Sequence, residues 1–197
     1  QYEGGNSWGC PDEILFKYVE KYIAEEKDER TFLIILSTSN HPPYNIDVAS
    51  KGFPKEEIKQ KLPDSLGSDE ETLNEMGHIW YVDQSMGNFI EKVEADKPDT
   101  LFVITGDHAE RFDFAQEVDL KTLSAVPCIF YGKNVDKDLL ADNKVGCHLQ
   151  IISTLAEMAG KKGDTYSSIW PSLFEYNGIA VSHTHLRAHE TVLDLVC

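Results

Sequence analysis

The stretch that decides the fold is Leu101-Phe102-Val103-Ile104-Thr105-Gly106-Asp107-His108 (LFVITGDH). Five residues rich in β-branched and aromatic side chains run without a charge and stop at a glycine. That is the mark of a strand buried on both faces. A carboxylate and an imidazole stand directly at its end. A second run of the same kind, Phe32–Leu36 (FLIIL), lies upstream, and a third, Cys128–Tyr131 (CIFY), lies downstream and ends at Gly132.

Between the first two runs, residues 70–95 carry Leu73, Met76, Trp80, Met86, Phe89, Ile90 and Val93 on one broad helical stripe. Asp83 lies near that stripe and reads as a buried hydrogen-bonding residue rather than a catalytic one. An earlier amphipathic helix is expected to open at Pro11, a residue suited to a first helical position, with Asp12 and Glu13 in the first turn. Its apolar positions are Ile14, Leu15, Tyr18, Val19, Tyr22 and Ile23. Residues 49–68, rich in Lys, Pro and Gly, read as an exposed excursion. A last helix is expected over 148–159, stopped by Gly160.

Strands alternating with helices predict an α/β fold with a mostly parallel sheet flanked by helices. A crossover from 32–36 through helix 70–95 to 101–105 makes those two strands parallel, so both end at one edge of the sheet. Ligands of open parallel sheets bind outside that edge, and neighbouring strands lie about 4.8 Å apart. His41 follows the first strand in the loop STSNHPPYN, and Asp107 and His108 follow the second. The topology therefore predicts that His41, Asp107 and His108 share one site. Oxygen plus nitrogen ligation suits zinc or manganese and tolerates other divalent ions. The plainer alternative is that Asp107 caps a turn while His108 packs. His148, at a third strand-to-helix connection, is either a site residue or a local cap or core histidine.

Composition narrows the function. The formal net charge of −16 argues against phosphate-tracking nucleic-acid binding. It would also repel an anionic substrate at long range, so phosphate chemistry here would need a local positive centre such as a metal. Cys10, Cys128, Cys147 and Cys197 have no paired ligand spacing and read as thiols rather than a disulfide or metal set. No apolar run approaches the roughly 20 residues of a membrane span.

Several segments, in order, resemble the lipoteichoic-acid synthase and phosphoglycerol transferase group of the sulfatase and alkaline-phosphatase superfamily. Trp8-Gly9, Asp12-Glu13 and Leu15-Phe16 resemble its WG..DE.LF signature. Thr38–Tyr44 (TSNHPPY) is similar to its SNHxPY-type loop. Tyr81-Val82-Asp83, Gly87 and Phe89-Ile90 are similar to the helix before its metal strand. Val103–His108 (VITGDH) resembles its metal-binding strand end, and Val126–Gly132 and His148–Ile152 resemble later segments.

The resemblance covers residues 7–175 and implies an alkaline-phosphatase-like fold. It also implies metal ligands at Asp107 and His108, a catalytic and substrate-binding role for His41, and a candidate substrate-binding role for His148. The implied cofactor is a divalent metal, manganese or zinc first and magnesium as a further possibility. The implied reaction moves a phosphoglycerol or phosphoethanolamine head group from a membrane phospholipid to a glycan or glycerol-type acceptor hydroxyl. A covalent phospho-threonine intermediate would carry it. This would happen on the extracytoplasmic face of a bacterial cytoplasmic membrane, with tethering by N-terminal spans outside this chain. The family's nucleophilic Thr and a further Glu ligand would lie upstream of residue 1, so the chain is expected to be an inactive C-terminal part of a catalytic domain. Departures from the pattern are Ala109-Glu110-Arg111 after the metal pair, Gln150 where many relatives carry Asp, and Ser153 where many carry Pro. A sulfatase or phosphodiesterase of the same superfamily, or a non-catalytic binding module, is the alternative.

The domain is expected to span 1–180. Val181–Cys197 (VSHTHLRAHETVLDLVC) resembles a translated sequencing-library adaptor, most clearly over Thr184–Thr191. The rival reading is a histidine-rich metal tail around His183, His185 and His189.

Overall fold

The computed structural model describes residues 5–27, 30–63, 66, 68–109, 124–136, 145–161 and 163–175. The expected adaptor-like tail, 181–197, lies outside the described residues, as do Glu110, Arg111 and Cys197. The chain divides into two compact units, with the described residues up to Thr100 in the first and those from Leu101 onward in the second.

The first unit is helical. Helix α1 spans Asp12–Glu25, with Pro11 (φ −54°) one step outside it rather than at its first helical position. Helix α2 spans Lys55–Lys61 and α3 spans Glu70–Asp96. Helix α3 begins at Asp69, whose carboxylate accepts from the N–H groups of Glu71 and Thr72. These are donors that no helical carbonyl reaches. Those hydrogen bonds, that from the Thr72 backbone first, hold the Asp69 carboxyl below its ordinary value. Helices α1 and α3 pack through Phe16 on Phe89, with ring centroids 4.8 Å apart and planes 16° from parallel. The Tyr81 hydroxyl also accepts from the Glu13 N–H at 3.2 Å, capping the start of α1 from outside.

The buried stripe of α3 runs through Leu73, Gly77, Tyr81, Ser85, Phe89 and Val93, with His78 and Val82 beside it. It is turned slightly from the expected stripe: Met76, Trp80, Met86 and Ile90 are only partly buried, and Asp83 is exposed rather than buried. The reason is Gly77. Its missing side chain lets Val48 and Phe53 press against the helix, where an added Cβ would lie 2.6 Å from Val48 Cγ2. Residues 49–68 are therefore more than an exposed excursion. Phe53 joins Ile46, Val48, Tyr81 and Val82 in a buried apolar cluster, and α2 follows it directly.

The expected strand at 32–36 is not formed. Phe32, Ile34 and Leu36 are 67%, 84% and 76% exposed, and the segment has no regular structure. A strand exists only where a neighbour completes its ladder, and none of the described residues supplies one for this run.

The second unit holds strands β1 (Phe102–Thr105) and β2 (Cys128–Tyr131) and helix α4 (Leu149–Ala159). The two strands pair antiparallel, Phe102 opposite Tyr131 and Thr105 opposite Cys128. The sheet of the described residues is thus two-stranded and antiparallel, not the expected parallel one. Periodicity places a strand but cannot name its partner. β2 also alternates, with Ile129 and Tyr131 exposed, as in a sheet solvated on one face.

Helix α4 buries a polar face. Gln150 Oε1 accepts from the Cys147 N–H (3.0 Å), and Gln150 Nε2 donates to the Pro171 carbonyl (3.3 Å). The Ser153 hydroxyl donates to the Trp170 carbonyl (2.7 Å), and Thr154 Oγ1 accepts from the Leu173 N–H (2.9 Å). Gln150 and Ser153, the two departures from the family pattern on this helix, thus tie the 168–173 segment to it.

Candidate active site

The loop that carries His41 is held by two side chains, Asn6 from the segment before α1 and Asp12 from the first turn of α1. Asp12 is fully buried, at 0% exposure. Its carboxylate accepts from the Ser37 hydroxyl (2.5 Å), the Ser39 hydroxyl (2.9 Å), and the N–H groups of Thr38 and Ser39 (both 3.3 Å). In return the Asp12 N–H, an orphan donor at the helix start, donates to Ser39 Oγ at 3.0 Å. A buried carboxylate is tolerated only when its lone pairs are met in this way.

Asn6 does the second part. Its Oδ1 accepts from the N–H groups of Trp8 (2.8 Å) and Gly9 (3.0 Å), and its Nδ2 donates to the carbonyls of Thr38 (3.2 Å) and His41 (3.3 Å). Turning the amide over would set donor against donor and acceptor against acceptor at all four contacts, so its orientation is settled. One amide therefore clasps the turn at 6–9 to the turn at 38–41, which closes on itself through His41 N–H to Thr38 O at 3.1 Å. Gly9 makes the approach possible, because a Cβ there would lie 2.8 Å from Thr38 Oγ1.

The clasp sets Trp8 against His41, ring centroids 4.6 Å apart. His41 Nδ1 lies 2.7 Å from the Pro42 carbonyl. A carbonyl only accepts, so this nitrogen carries the proton and the neutral ring has its lone pair on Nε2. The Pro42–Pro43 bond is cis. Asn40 Oδ1, next to His41, is buried with no partner among the described residues.

In the second unit, Asp107 and His108 follow β1 as expected. Asp107 Oδ1 accepts from the His108 N–H at 3.0 Å, and Asp107 Oδ2 lies 3.9 Å from His108 Nε2. The Asp107 side chain is 81% exposed and that of His108 27% exposed. His108 Nδ1 is buried and without a partner among the described residues. One hard oxygen and one imidazole side by side fit two positions of a divalent-metal shell. Among the described residues no group of three His, Cys, Asp or Glu is placed to hold an ion, so the pair fits as part of a shell.

His148 immediately precedes α4 but makes no side-chain cap. Its Nε2 donates instead to the Gly106 carbonyl at 2.7 Å, fastening the start of α4 to the turn that presents Asp107 and His108. Its Nδ1 is buried without a partner among the described residues. His148 is thus brought together with the Asp107–His108 turn, while His41 belongs to the first unit. Cys10, Cys128 and Cys147 form no disulfide among the described residues.

The sequence gives no role to Asn6 or Ser37, and it marks Asp12 and Ser39 only as a first-turn acid and as members of resembling motifs, not as partners of each other. Nothing in local pattern signals a hydrogen bond that spans 25 residues or more.

A strand ending in an aspartate–histidine pair, followed by a helix, suits an α/β fold. A family model described as Sulfatase matches residues 1–161, and the chain belongs to that family, which suggests an enzyme of hydrolase or transferase type. Sulfatase-family proteins generally use a divalent metal. Neither comparison with curated proteins nor comparison with solved structures gave a match.

Proposed function

We propose that this chain is the C-terminal part of a metal-dependent phosphotransferase. It would move a phosphoglycerol or phosphoethanolamine head group from a membrane phospholipid to a glycan or glycerol-type hydroxyl. The observation that carries the reading is the loop Ser39-Asn40-His41-Pro42, clasped so that His41 has a defined tautomer. Family membership supports the enzyme class, and the resemblance to phosphoglycerol transferases supports the reaction.

In this reading His41 handles the proton. With Nδ1–H engaged by Pro42, the basic site is Nε2, which takes the proton of the attacking hydroxyl or, once protonated, gives one to the departing oxygen. Trp8 covers one side of the ring. Asp107 and His108 would hold the divalent ion, manganese or zinc, with magnesium as the further possibility. Bound there, the ion would lower the pKa of an alcohol nucleophile and neutralise phosphoryl oxygens. By resemblance the nucleophilic threonine has no counterpart in residues 1–180. A substrate contact from His148 and work at the extracytoplasmic membrane surface belong to the same proposal. No helix of the described residues is long and apolar enough to cross a membrane.

The name of the matched family favours a second reading, ester hydrolysis with water as acceptor. One experiment separates the two. The complete gene product is given vesicles of phosphatidylglycerol or phosphatidylethanolamine with labelled head groups, with manganese, zinc or magnesium. The expected result is label on an added hydroxyl acceptor, abolished by chelator and by Asp107→Ala or His108→Ala. Label released only to water, or turnover confined to sulfate esters, would select the hydrolase. Absence of all turnover would leave a binding module.

A further inference from the structure

The side chains that hold the His41 loop are used by no step of the proposed reaction, yet each makes four side-chain hydrogen bonds. Asp12 meets Ser37, Thr38 and Ser39 through five hydrogen bonds, counting the one from its own N–H. Asn6 meets both ends of the 38–41 turn. A loop on a protein surface is ordinarily among its more mobile parts. Here a buried carboxylate fixes one end to the start of α1, and an amide fixes the other. A deviation of about 1 Å at a reacting group is enough to lower a rate about 100-fold, so this bracing has a consequence for chemistry.

We propose that Asp12 and Asn6 are positioning residues for His41. Asp12 anchors residues 37–39 to the helix start, and Asn6 holds the His41 carbonyl, so that the ring keeps Nδ1–H on the Pro42 carbonyl and presents Nε2 in one orientation beside Trp8. The inference rests on the reading of His41 as the proton-handling group, but it is a separate statement about geometry. The hydrogen bonds of both residues go to groups other than the ring. Asn6 acts through the backbone of 38 and 41, and Asp12 acts through the serines before it.

The test has two arms. In the 197-residue chain, long-range proton–nitrogen NMR of the histidine rings reads the His41 tautomer at a pH where the ring is neutral. The expected wild-type signal is Nδ1–H. Asn6→Ala and Asp12→Ala should replace it with exchange-averaged signals of two tautomers. Asp12→Asn, which keeps an acceptor oxygen for Ser39, should retain it. Asn6 is only partly buried, whereas Asp12→Ala strips four donors of a fully buried acceptor, so Asn6→Ala remains informative if Asp12→Ala fails to fold. A folded Asn6→Ala chain with unchanged His41 ring signals would overturn the positioning role.

In the complete gene product, Asn6→Ala should lower kcat about 10- to 100-fold with KM changed less than about twofold. It should add no further loss in a His41→Ala background, whereas a merely structural role would lower both backgrounds alike. Full activity of His41→Ala would end the functional reading and the catalytic half of this proposal. The NMR arm would still decide whether the clasp sets the ring.

Discussion

Asp12 and Ser39 exchange two hydrogen bonds. The Asp12 N–H donates to Ser39 Oγ at 3.0 Å, and the Ser39 hydroxyl donates to Asp12 Oδ1 at 2.9 Å. The pair resembles the reciprocal exchange of a capping box, except that the cap comes from 27 residues away. Ser39→Ala leaves a helix N–H and a buried carboxylate each one partner short. The expected cost is about 1–3 kcal/mol in urea unfolding. Ser50→Ala, at an exposed turn, is the control and should change stability by less than about 0.5 kcal/mol. Equal effects at the two positions would show that the clasp contributes nothing special.

His78 sets a pH dependence. Its Nε2 accepts from the Ile46 N–H at 3.1 Å, while Nδ1 donates to the Asn74 carbonyl at 2.8 Å. Burial pushes its pKa below 6.5, against a smaller upward push from the Asn74 bond. The unfolded chain then binds the proton more readily, so the stabilisation is complete above pH 6.5 and is lost as pH falls below it. Protonation would also set a ring N–H against the Ile46 N–H. Urea midpoints taken between pH 7.5 and 5 should fall with acid in the wild type. In His78→Asn, which keeps a donor toward Asn74, that part of the slope should vanish. A parallel slope in the variant would remove His78 as its source.

Two glycines of α3 predict opposite outcomes for one substitution. At Gly77 a Cβ would lie 2.6 Å from Val48 Cγ2 and 3.1 Å from Phe53 Cδ1, whereas at Gly87 nothing lies within 4 Å. Alanine gains about 1 kcal/mol over glycine in a helix interior, and overpacking a core costs about 1–3 kcal/mol. Gly87→Ala should therefore stabilise by up to about 1 kcal/mol, and Gly77→Ala should destabilise by about 0.5–2 kcal/mol. Thermal melts of the two variants decide it, and a gain at both positions would mean that Val48 and Phe53 yield freely.

The run 32–36 predicts poor solubility. Exposed apolar stretches without a sheet neighbour associate with other chains. Ile34, at 84% exposure, makes few contacts to lose. Ile34→Lys should raise the concentration at which the chain stays monomeric in light scattering, with the melting temperature unchanged. A large fall in melting temperature would show that Ile34 packs against this protein's own core.

Legibility followed the range of the interactions. Helices α1, α3 and α4 were readable within a residue or two, because helical periodicity, the acids of the first turns and the residues at the helix ends act within one or two turns of chain. Strands β1 and β2 were readable for the same local reason, as were the places of Asp107, His108 and His148 at the ends of their elements. The direction of the sheet was not. Phe32–Leu36 and Leu101–Thr105 look alike as apolar runs, but among the described residues only the second finds a ladder, and that ladder is antiparallel with β2. A backbone hydrogen bond needs a neighbour, and no residue states who its neighbour is.

The site divides in the same way. His41, Asp107 and His108, residue types that suit metal and proton chemistry, are written in the sequence. The clasp of Asn6 and Asp12 is not, since it depends on contacts of about 3 Å between segments 25 or more residues apart. Tertiary structure alone makes those contacts. Once their donors and acceptors are taken from water, each must be met, and that requirement, not the order of residues, brings the 6–9 turn against the 38–41 turn.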